Sequence, residues 1–150
     1  MIEKESISVS ETDEFHKKVG KLIMRCQFIE HDIKWIYAGL LSGDLYENFD
    51  KITNNKETLG SVIFKLRDID VANFGYFSRN DYRLLSSITR TRNYWAHEAY
   101  LEFMYERGEE LRIAFLNVAA RLNSDYEWLF NLSKRIEKVR LDVLRRFNRI

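Results

Sequence analysis

A chain of 150 residues, 45% hydrophobic and 31% charged, has the size and balance of one compact globular domain, which excludes a disordered or fibrous class. Its formal charge of +1 excludes a surface that holds nucleic acid by bulk electrostatics. Its one cysteine, Cys26, excludes an internal disulfide and a thiolate metal cage, and the neighbours Leu22, Ile23 and Ile29 mark it as a small buried hydrophobe in a reducing compartment.

The segment from Met1 to Ser6 has no basic region leading into an apolar run, and no stretch reaches membrane-spanning length, so a cytoplasmic protein with no membrane partner is expected. Ser10 with Asp13 reads as a capping box. Phe15, Val19, Leu22, Ile23, Cys26, Ile29, Ile33, Ile36 and Leu40 then follow at helical spacing to about Ser42-Gly43. Met24, Phe28 and Trp35 form a second apolar side, which implies a central helix or one partly covered by a partner. Glu30 projects into the main stripe, either to pair with an arginine or to reach water at its edge.

Leu45 to Ile52 predicts a short helix and Thr53-Asn54-Asn55 a turn. Thr58 to Arg67 predicts another helix, through Leu59, Val62, Ile63 and Leu66, and Asp68 to Phe77 a loop. Ser78 with Asp81 is a second capping box, opening a helix with Leu84, Ile88 and Trp95 on its apolar side that runs to about His97 or Tyr100. After Gly108, Leu111, Phe115, Val118, Leu122, Leu129, Leu132, Ile136, Val139 and Val143 describe one long helix, or two if Asn123-Ser124-Asp125 caps a new one. The last stretch is basic, with Lys134, Arg135, Lys138, Arg140, Arg145, Arg146 and Arg149 against Glu137 and Asp142, and suits either phosphate or solvent. With no proline and no linker, the expectation is an all-α, single-domain antiparallel bundle of four to five helices, ordered over about residues 10–147.

His16, His31 and His97 never stand at the spacing that puts two metal ligands on one helix face, and phosphate-binding glycine loops and nucleophile elbows are missing. No metal and no cofactor is expected. What remains is Ile88-Thr-Arg-Thr-Arg-Asn-Tyr-Trp-Ala-His-Glu-Ala-Tyr100. Within it, Arg92-Asn93-Tyr94-Trp95-Ala96-His97 resembles the motif of the HEPN family, an arginine followed by a polar residue and then a histidine after four to six positions. The resemblance extends upstream to Thr58-Leu59-Gly60 and loosely covers residues 12–145, with residues 88–100 its specific part.

The resemblance implies metal-independent RNA cleavage by a homodimer, as a toxin or antiphage effector restrained by an antitoxin or another regulatory partner. Arg92, Asn93 and His97 would be the catalytic residues. The chemistry suits them, since histidine moves protons near neutral pH and arginine steadies a charged phosphorane while the ribose 2′-hydroxyl attacks. On a regular helix, five residues turn a side chain by about 140°, which leaves Arg92 at the edge of the apolar stripe and His97 nearly opposite. Arg90 and Asn93 share the side of His97, so Arg90 is a phosphate contact or the working arginine itself. Tyr94 and Tyr100 are candidate substrate contacts, with packing the stronger expectation for both, and Trp95 belongs in the core.

Three features qualify the resemblance. In the branch paired with nucleotidyltransferase-type antitoxins a tyrosine lies two residues after the histidine, whereas here Ala99 has that place. A plain structural alternative makes His97 a helix-end residue bonded to carbonyls, with Arg92 bridging to Glu98 or Glu30. Thr58-Leu-Gly with Ser78-Arg-Asn-Asp-Tyr-Arg and then Arg92-Asn93 and His97 also resembles the mannitol operon repressor family, whose helical domain is HEPN-like, which implies a regulator or interaction protein without catalysis.

Overall fold

The computed structural model describes residues 7–147. These described residues are all-α and form five helices: α1 (Val9–Leu40), α2 (Leu45–Asn54), α3 (Leu59–Asn73), α4 (Arg79–Asn93) and α5 (Gly108–Arg146). Between α4 and α5 lie a π-turn, Tyr94–Glu98, and a 3₁₀ turn, Ala99–Glu102. No described helix is long and apolar enough to cross a membrane. Contacts gather the chain into two compact units, each assembled from separate segments.

The first unit contains residues up to Cys26 together with Arg90–Phe130. Its centre is Phe15, whose ring meets those of Trp95, Tyr100, Phe103 and Phe115 at centroid separations of 5.3 to 6.2 Å. Val19, Leu22, Val118, Leu122 and Leu129 are buried with them. The start of α1 differs from the predicted one. Ser8, not Ser10, is the cap: its hydroxyl accepts from the Glu11 amide at 3.1 Å, and the Glu11 carboxylate accepts from the Ser8 amide at 3.1 Å. Arg112 of α5 donates to both Glu11 oxygens, at 2.7 and 2.8 Å, and this tie selects the Ser8–Glu11 box.

The second unit contains residues 27–89 and the chain from Asn131 onward. Its core is Ile29, Ile33 and Ile36 of α1, Val62 and Leu66 of α3, Leu85 and Ile88 of α4, and Leu132, Ile136 and Val143 of α5, each 1% exposed or less. Leu85 holds the core position that the pattern assigned to Leu84, which is half-buried. Trp35 of the second apolar side stacks on Phe49 of α2, centroids 3.9 Å apart and planes 9° apart, whereas Met24 and Phe28 stay exposed. At Gly39 a Cβ would come to 3.0 Å from Cγ1 of the buried Val143, so α1 and α5 approach there as only glycine allows.

The predicted loop from Asp68 is mostly helix, because α3 continues to Asn73. Asp70 makes this possible. Fully buried, it accepts from the amides of Tyr76 (2.6 Å) and Phe77 (3.1 Å) and from the Tyr82 hydroxyl (2.6 Å), so a polar residue that reads as a loop signal organises the core. Gly75, with φ +74, then ends the helix by donating its N–H to the Asp70 carbonyl. Thr58 caps α3 through the Ser61 amide, and Ser78 and Asp81 make the reciprocal bonds of a capping box at 3.0 and 3.1 Å. Buried Asp81 is also held by Arg135, at 2.9 to 3.0 Å. Cys26 is fully buried, and Glu30 meets Lys34 at 3.6 Å, one turn along its own helix.

Candidate functional site

All six residues singled out by sequence fall in the first unit, at the end of α4 and just beyond it. The regular helix stops at Asn93. From Tyr94 the hydrogen bonding widens to i→i+5, with the Ala99 N–H donating to the Tyr94 carbonyl. The burial pattern explains the change: Tyr94, Trp95 and Ala99 face inward, while Ala96, His97 and Glu98 between them are exposed. One extra residue per turn lets two adjacent bulky aromatics and the following alanine all reach the core.

Both aromatics are fastened by polar bonds. The Trp95 indole donates to Asp125 at 2.9 Å, and Trp128 donates to the other oxygen of the same carboxylate at 3.0 Å. Asn123-Ser124-Asp125 is therefore no helix start; α5 runs unbroken through it, and Asp125 serves two tryptophans instead. The Tyr94 hydroxyl donates to Glu102 at 2.6 Å, and the Arg121 guanidinium lies 3.6 Å over its ring. Burial, and then the bond to Glu102, push the Tyr94 phenol up to about 12. With one face under a guanidinium and only 6% exposed, Tyr94 packs; it offers no face to a base.

Tyr100 is half-buried, and its ring stacks on His16 of α1 with centroids 5.3 Å apart. Its oxygen lies 2.7 Å from His16 Nδ1. Burial raises the Tyr100 phenol above its ordinary value, so the contact is a hydrogen bond between a protonated phenol and the imidazole. This pair was not foreseen, since no sequence spacing links residues 16 and 100. Arg121 and Glu102 were equally silent, whereas Asp125 three residues before Trp128 was a visible signal for a side-chain bond within α5.

Arg90, Asn93 and His97 are exposed and Arg92 is half-buried. The π-turn alters the angular argument, because each residue inside it turns the chain by less than in an α-helix. The angle between Arg92 and His97 is thus smaller than the about 140° of a regular helix. The segment presents an exposed imidazole for proton transfer, an amide one turn before it and two guanidiniums able to meet phosphate. Among the described residues no three histidine, cysteine or carboxylate side chains gather closely enough to hold a metal ion. Comparison with protein-family models, with curated proteins and with solved structures finds no match to this chain.

Proposed function

We propose that this protein is a metal-independent endoribonuclease of the HEPN kind, acting in the cytoplasm as a homodimer whose two motif segments form one cleft. The observation that carries the reading is the Arg92–His97 motif itself, set on a π-turn with its imidazole exposed; such wide turns recur at functional sites. In the reaction, His97 takes the proton of a ribose 2′-hydroxyl, the oxygen attacks the adjacent phosphorus, and the bond to the 5′ oxygen breaks as that oxygen gains a proton. The products carry a 2′,3′-cyclic phosphate and a 5′-hydroxyl. Arg92, with Arg90 as the second cation, balances the charge gathering on phosphorus, and Asn93 orients the phosphate. A toxin or antiphage effector restrained by an antitoxin is the biological setting this activity suits.

The test is incubation of the purified protein with total cellular RNA in EDTA, comparing wild type with Arg92→Ala and His97→Ala. Cleavage by wild type alone, with cyclic phosphate ends, is the expected result, and His97 is exposed enough for its loss to leave the fold intact. A regulator resembling the mannitol operon repressor family is the second reading. The residues of that resemblance hold structural posts, since Thr58 and Ser78 cap helices and Asp81 pairs with Arg135. A folded dimer that leaves RNA intact would support that reading over the nuclease.

A further inference from the structure

Three arginines, Arg67 of α3 and Arg79 and Arg83 of α4, line an open cleft of about 580 Å³ in the second unit, with Asn80, Tyr82 and Ser86 as its other walls. All three are exposed, and among the described residues none of them meets a carboxylate within ion-pair distance. Two acids close by in the chain are committed elsewhere. Asp70 is buried beneath Tyr82, and Asp81 is held by Arg135. Three guanidiniums around one concavity repel each other, and an anion in their midst relieves that repulsion.

The cleft is also rigid where it matters. Tyr82 is fixed by its bond to Asp70, and the Arg67 guanidinium lies 5.5 Å over the Tyr82 ring. Arg83 donates from Nε and Nη2 to the Asn80 amide oxygen, at 3.1 and 2.7 Å, which orients the fork and leaves its remaining N–H groups for a ligand. Planar, forked donors held in place are the side-chain chemistry that reads phosphate oxygens.

Charge and shape narrow the ligand. A phosphate monoester brings about −1.5 to −2 charges against three guanidiniums, whereas two linked phosphates bring about −3 and match them. A concave cluster favours a compact anion over an extended backbone, which is met by a stripe of cations. We propose that this cleft binds a small molecule bearing a diphosphate group, with Arg67, Arg79 and Arg83 gripping its oxygens. The inference is independent of the nuclease reading.

The test is calorimetric titration of the full chain with inorganic pyrophosphate, run beside phosphate and sulfate at matched ionic strength. One site that prefers pyrophosphate is expected, with affinity falling about ten-fold in Arg67→Ala and again in Arg83→Ala, as for loss of a charge-assisted hydrogen bond. Lys17→Ala, on an exposed cation of the first unit, should leave the affinity unchanged, and circular dichroism checks that each variant is folded. Absence of pyrophosphate binding, equal binding of sulfate, or affinity indifferent to both arginine substitutions would overturn the site. So would a single-stranded RNA oligonucleotide that binds through the same arginines and is not displaced by pyrophosphate.

Discussion

At the scale of single residues, Asp125 is the clearest case of one side chain with two clients. Replacing it by alanine leaves the Trp95 indole N–H, in a residue 1% exposed, without its acceptor. A loss of about 2–3 kcal/mol of stability is expected for Asp125→Ala, readable by urea denaturation, because a buried donor forfeits a charge-assisted bond. An unchanged midpoint would mean that the indole finds another acceptor. Polar residues are also where sequence reading was least secure. Ser78–Asp81 is a cap in sequence and in structure, yet Ser10–Asp13 and Asn123–Asp125 have the same look and are not. A short polar side chain signals that a bond will form, and only tertiary neighbours such as Arg112 or Trp95 decide which one.

At the scale of elements, apolar periodicity carried nearly all the helix positions, because stripes such as Phe15 to Ile36 and Phe115 to Val143 are read from spacing alone. Segment 88–100 stood out as the one rich in chemistry. Its π-turn did not, since a single residue of excess in a turn leaves the apolar pattern almost unchanged. That excess makes a direct prediction. Deleting exposed Ala96 puts Tyr94 and Ala99 four positions apart, so the turn can close as an ordinary α-helix with the same residues inward. The variant should melt no lower than wild type and, under the proposed nuclease function, lose RNA cleavage, because Arg92 and His97 then stand at a new spacing. Deleting exposed Thr89 from the regular part of α4 should instead rotate all that follows by about 100° and cost the fold. Equal damage from both deletions would show that the packing of Tyr94 and Trp95 demands the wide turn.

At the scale of the whole molecule, both units keep phenols protonated by burial. Tyr37 and Tyr82 in one and Tyr94 and Tyr100 in the other are all raised above the ordinary value of 10.0, burial being the first cause in each and a bond to Asp70 adding to it at Tyr82. Unfolded phenols lose their protons near pH 10, whereas these hold theirs higher, up to about 12 for Tyr94. The folded state therefore binds more protons in that window, so the stability they contribute is complete below the ordinary value and is lost as pH rises through the folded values. Tyrosinate absorbance and circular dichroism followed together should show ionisation of these phenols coinciding with unfolding at alkaline pH. Early ionisation with the helices intact would contradict it.

The discontinuity of the first unit sets an order of events while the chain is being made. The motif segment is translated before Arg112, Arg121 and Asp125, and the bond from Arg112 to Glu11 spans 101 positions. Until α5 has formed, Tyr94 lacks the Arg121 guanidinium over its ring and Trp95 lacks the Asp125 carboxylate, which leaves the Tyr94–Glu102 bond to hold the turn beneath His97. The residues with the most chemistry are translated in the middle of the chain and assembled near its end, so a truncated nascent chain carries the motif without its support.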